Sequence, residues 1–181
     1  LLFRQAPLEI RINMATFSGG YNSFNALKVK TRGNLLDAVC VALSGRAAEE
    51  MVFGMESLSS GSENDLKLAT QQMAAFIRHA AFGKRISHVD VSTEAGENIN
   101  TDVTSTNPEI EAGLQKQYER AQGLLVANKA IYLQMVNELI KMGQLEPQQI
   151  REWLGLPQQQ SHKDALEPFE ARLREFGRRA A

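Results

Sequence analysis

Hydrophobic and polar positions change their period along this chain, and each change marks an element. Leu8, Ile10 and Ile12 alternate with Glu9, Arg11 and Asn13, the two-residue period of a half-buried strand. Ala26 to Lys30 is a weaker second strand candidate. Between the two, Ser18-Gly19-Gly20-Tyr21-Asn22-Ser23 supplies permissive backbone for a turn or an irregular edge. The expected product is a small sheet of two or three strands. From Asn34, a residue suited to capping, the pattern turns helical and runs to Phe53, with Gly54 placed to end it. Leu35, Leu36, Val39, Cys40, Val41, Ala42 and Leu43 cover nearly the whole circumference of the first half, with Asp37 the one charged exception. That pattern predicts a central helix buried on most sides. Its second half becomes small at Ser44, Gly45, Ala47 and Ala48, then acidic at Glu49 and Glu50.

A further helix is expected from near Ser62 to about Ala80, with Leu66, Ala69, Met73, Phe76 and Ile77 as its inner stripe. Asp65 falls in line with Ala69, Gln72 and Phe76, which places it toward the interior. Residues 89 to 107 are rich in Ser, Thr, Gly, Asn and Glu, lack helical periodicity and read as a long loop. Asn107-Pro108 then opens a helix whose face is Ile110, Leu114, Tyr118, Ala121 and Leu125, ending at Asn128. Ile131, Met135, Leu139 and Ile140 mark another, stopped by Gly143, and Pro147 to Trp153 gives a short last one. After Gln158-Gln159-Gln160, a tail helix carries Leu166, Phe169, Leu173 and Phe176 on one side. The fold class is therefore mainly α, with a small N-terminal β-sheet and a C-terminal helical bundle. Residues 1–155 form the domain and 156–181 an appended tail.

Composition narrows the function classes. Within 181 residues, 43% apolar residues suffice for a packed core. A formal net charge of -1 gives no basic footprint for phosphates, so nucleic acid is not an expected partner. No run approaches the ~20 apolar residues of a spanning helix, and a soluble piece is expected. The single cysteine, Cys40, lies in an apolar run, so no disulfide within the chain is possible and a buried thiol is the reading.

Taken residue by residue, the chemistry is sparse. Ser62-x-x-Asp65 has the spacing of a capping box, and a first-turn carboxylate gains roughly 0.3–1 kcal/mol from the helix dipole. Glu49 and Glu50 read as a solvated helix end. His79, His88 and His162 have no histidine four residues away, and no Ser–His, Cys–His or phosphate-cradling constellation is present.

Two strings change that picture. Gly45-Arg46-Ala47-Ala48-Glu49-Glu50 with Phe53-Gly54, and Gly61-Ser62-Glu63-Asn64-Asp65-Leu66 with Ala69-Thr70, stand in an order and separation that resembles the peptidase domain of FtsH-type ATP-dependent zinc proteases. The likeness covers roughly residues 8 to 154. It implies zinc as cofactor, Asp65 as the third zinc ligand and Glu49 as an acid that orients a ligand histidine. It further implies that Gly20 and Tyr21 lie at the edge that pairs with an extended peptide substrate. The implied activity is endopeptidase cleavage of unfolded or membrane proteins, fed by an ATPase domain in the same chain or a partner, in a homo-oligomeric ring of six. The implied setting is a soluble domain on the cytoplasmic side, including that of a membrane-anchored protein.

The family's chemistry also needs His-Glu-x-x-His, two imidazoles one helical turn apart with a glutamate as base, and this chain has none. The family's Pro-Arg-Gly after the first strand is absent too, with Met14-Ala15-Thr16 in that region. No catalytic residue is therefore assigned within the chain. The expectation is that the zinc-binding helix precedes Leu1 and that the 181 residues alone are inactive. A catalytically dead scaffold and a helical protein-interaction domain remain the alternatives.

Overall fold

The computed structural model describes residues 9–12, 20–23, 31–84, 86 and 104–155. They fall into two compact units, Leu27–Lys129 and a second formed by Leu1–Ala26 with Ala130–Ala181. The described architecture is mainly helical.

The first unit is built on α1 (Arg32–Phe53), α2 (Glu63–Arg78) and α3 (Asn107–Ala127), with α1 packed against both others. α1 starts two residues earlier than its hydrophobic pattern suggests. Thr31 is the cap: its hydroxyl accepts from the Asn34 amide, and the Asn34 side chain accepts from the Thr31 amide. Asn34 is thus the reciprocal partner in a capping box rather than the cap itself. At the other end Gly54, at φ 81, takes backbone that an L side chain rarely adopts and turns the chain out of the helix.

Val39, Leu43, Ala69, Met73, Phe76, Ile77 and Ile110 form the core of this unit. Fully burying side chains of this kind contributes about 1.5–3 kcal/mol each. The inner stripe expected of α2 is the one observed, with Leu66 packed half-buried against it. On α3, Ile110 and Ala121 are buried, and Leu114 and Tyr118 lie against the core. Gly113 sets how closely α3 approaches: a Cβ there would stand 2.7 Å from Met73 Sδ, so the helices meet at a point where no side chain fits. Cys40 is a buried free thiol, as its apolar surroundings require. Asp37, the charged exception on α1, pairs with Arg120 of α3 at 2.7 Å.

The second unit contains a three-stranded sheet of order β2-β1-β3, with β1 (Glu9–Ile12), β2 (Gly20–Ser23) and β3 (Gln144–Leu145) all paired antiparallel. Ile12 pairs with Gly20 and Glu9 with Ser23, while Ile10 pairs with Leu145. The Ile12 amide also donates to the Gly143 carbonyl at 2.9 Å. Gly20–Ser23, read from sequence as a turn or irregular edge, is a strand at the edge of the described sheet. Main-chain pairing with β1 supplies what glycine-rich composition does not advertise. The other strand candidate, 26–30, lies outside the described residues, as do most of the expected loop at 89–107 and the tail at 156–181. Helices α4 (Lys129–Met142) and α5 (Pro147–Trp153) complete this unit. Leu145 and Ile150 are its most buried side chains. The expected C-terminal helices are present, with α3 clustering with α1 and α2 and α4 with the sheet.

Candidate functional site

Asp65 sits in the first turn of α2. Sequence periodicity turns it inward, but its side chain is exposed. The reason is its neighbour: the α1 residue it faces is Gly45, where even an added Cβ would stop 3.8 Å from Asp65 Oδ2. With no side chain to cover it, the carboxylate stays open to solvent. The expected capping box at this end is also not formed. Ser62 occupies the cap position without a side-chain hydrogen bond to the helix, and its buried hydroxyl has no partner among the described residues. The connector uses Ser59 instead, whose hydroxyl accepts from the Gly61 amide at 3.1 Å. Asp65 itself enters no hydrogen bond or ion pair among the described residues, so its oxygens remain available to a ligand.

The two glutamates at the end of α1 are not a solvated helix end. Both are half-buried, and they face different partners. Glu49 Oε1 accepts from the Ser59 amide at 3.1 Å, which ties α1 to the connector that leads into Asp65. Glu50 Oε2 accepts from the Tyr118 hydroxyl in a short hydrogen bond and from Gln122 Nε2 at 3.2 Å, both on α3. Burial first, then the hydrogen bond and charge of Glu50, push the Tyr118 phenol up to about 12, against the opposing pull of Arg46. Sequence reasoning missed this cluster because its members lie far apart in the chain, and no local spacing links Glu50 to Tyr118.

The sequence nominated four residues, and they fall in two places. Asp65 and Glu49 belong to the helical unit; Gly20 and Tyr21 belong to β2, in the sheet unit. His79 lies at the end of α2 and is exposed, and His88 and His162 lie outside the described residues. Burial raises the Cys40 thiol, with Arg120 opposing and Asp37 adding to the shift, so it is no activated nucleophile.

A catalytic zinc site takes three protein ligands and keeps a fourth position for water. Among the described residues no three of His, Cys, Asp and Glu come together in a way that could hold a metal ion. The donors on hand among the described residues do not fit zinc.

The profile of Peptidase family M41 matches residues 20–153. That span takes in β2, both strings on α1 and α2, and the chain through α5. Similar proteins include the ATP-dependent zinc metalloprotease FtsH of Chloroflexus aggregans, 29% identical over an alignment of 151 residues that covers 75% of this chain and 23% of that protein. FtsH 3 of Petrotoga mobilis is 29% identical over 135 residues, 68% of this chain and 21% of its own length. The YME1 homolog of Schizosaccharomyces pombe is 31% identical over 99 residues, 55% of this chain and 14% of its own. In each case the match spans less than a quarter of the relative. No helix among the described residues is long and apolar enough to cross a membrane.

Proposed function

This chain belongs to Peptidase family M41, and on that premise we propose that it is part of the zinc-dependent endopeptidase domain of an ATP-dependent protease that degrades unfolded or membrane proteins. The observation that carries the reading is Asp65. It is a carboxylate at the head of a helix, exposed, without a partner among the described residues, and beside a glycine that leaves room around it. On this reading Asp65 supplies one zinc ligand; the site needs two imidazoles and a general base besides, and no His-Glu-x-x-His stands in these 181 residues to provide them. Glu49, tied to the connector by one oxygen, has the second unbonded among the described residues and placed to orient a ligand imidazole. The backbone of Gly20 and Tyr21, on the edge strand, pairs with an extended substrate through main-chain hydrogen bonds, which tolerate many sequences. An ATPase domain in cis or in trans, a six-membered ring of this chain and a position on the cytoplasmic side complete the reading, with residues 1–155 as the peptidase part and 156–181 as an extension.

The test compares the 181-residue chain with the encoded polypeptide, including whatever precedes Leu1. Metal analysis and casein hydrolysis should show bound zinc and turnover in the encoded polypeptide and neither in the 181 residues alone. Asp65→Ala should abolish both in the encoded polypeptide while costing the fold only about 0.3–1 kcal/mol, the worth of a first-turn carboxylate. Retained turnover after Asp65→Ala would remove it from the ligand set. An encoded polypeptide that folds and assembles but holds no zinc would instead establish the catalytically dead scaffold.

A further inference from the structure

On α1, residues four apart share a face, and the family string splits into two such pairs. Gly45 and Glu49 look toward α2 and its connector: Gly45 lies against Asp65, and Glu49 holds the Ser59 amide. Arg46 and Glu50 sit one step round the helix, where Glu50 takes hydrogen bonds from Tyr118 and Gln122 of α3. Because a helix turns as one body, whatever fixes Glu50 against α3 also fixes the direction of Gly45 and Glu49. We propose that Glu50 is a positioning residue: clamped by Tyr118 and Gln122, it sets the roll of the last turns of α1, so that Glu49 meets the connector and Asp65 stands beside Gly45.

The carboxylate suits this task because a half-buried charge holds its donors firmly, and two of them converge on the one oxygen, Oε2. The rest of the α1–α3 contact is apolar packing, the Asp37–Arg120 ion pair and an interaction of Arg46 with the Tyr118 hydroxyl; Glu50 differs from these in drawing two donors of α3 onto one oxygen. Around Asp65 itself no hydrogen bond from α2 or α3 fixes the carboxylate, so its position is inherited from the connector and from α1.

Amide hydrogen exchange in the 181-residue chain tests the clamp without metal. Tyr118→Phe keeps the ring and drops the donor; Glu50→Ala drops the acceptor; Glu50→Gln keeps an acceptor oxygen for Tyr118. Tyr118→Phe and Glu50→Ala should speed exchange at the Ser59 amide about fivefold relative to the core amide of Met73, the loss expected for one weakened hydrogen bond. They should also move the Ser59 and Asp65 resonances, while Glu50→Gln largely restores the native pattern. Ser59 and Met73 amides that accelerate together, or a Ser59 amide unchanged in both variants, would overturn the proposal.

Discussion

In the helical unit, apolar side chains three and four residues apart on α1, α2 and α3 meet to form one core. In the sheet unit, β1 takes one partner from shortly after it and the other, β3, from far along the chain. Helices form from local periodicity and then dock. A strand as short as Gln144–Leu145 exists only because β1 is there to receive its hydrogen bonds. The difference carries over to chemistry: the helical unit presents carboxylate side chains, Glu49 and Glu50 held by hydrogen bonds and Asp65 held by none among the described residues, while the sheet unit offers its candidate residues, Gly20 and Tyr21, through backbone.

The largest effect should come from the core of the helical unit. Met73→Ala removes a fully buried side chain that touches α3 at Gly113, and should cost about 2–5 kcal/mol in chemical denaturation. A loss below 1 kcal/mol would mean that the three-helix core is not what holds this unit. Leu145→Ala is the matching cut in the sheet unit, and truncating this 1% exposed residue should fall in the lower part of that same range of about 2–5 kcal/mol. It should strip hydrogen-exchange protection from the Ile10–Ile12 amides before those of α2. Equal loss at both places would erase the energetic side of the comparison.

Smaller effects sharpen it. Thr31→Ala removes a formed capping box and should destabilise by about 1 kcal/mol, whereas Ser62→Ala, at a cap with no side-chain bond to lose, should be neutral or slightly stabilising. Thermal denaturation of the two variants decides; equal losses would restore the capping box that the spacing of Ser62 and Asp65 suggested. Last comes the alkaline limb. The Tyr118 phenol is raised from 10 to about 12 in the fold, so the folded state keeps a proton that the unfolded chain has lost. The stability it lends is complete below pH 10 and disappears as pH rises from 10 to about 12. Burial also raises the Tyr132 phenol, so tyrosinate absorbance should show more than one late-titrating group, of which the component near pH 12 vanishes in Tyr118→Phe and titrates earlier in Glu50→Gln.

The sequence alone determined much of this protein. The helical periods placed α2, α3, α4 and α5 within a few residues, because an amphipathic helix writes its buried face into every third and fourth position. The strings around Gly45 and Asp65 identified the family, since runs so particular rarely recur in that order. Tertiary structure decided the rest. It exposed Asp65 because the residue across from it is a glycine, a fact that lies on another helix. It made Gly20–Ser23 a strand because β1 had hydrogen bonds to share. It joined Glu50 to Tyr118 and Gln122, and Glu49 to Ser59, through contacts between segments whose own patterns carry no sign of one another. A single helix records which of its faces is buried; which residue waits on the other side is settled only when the helices pack.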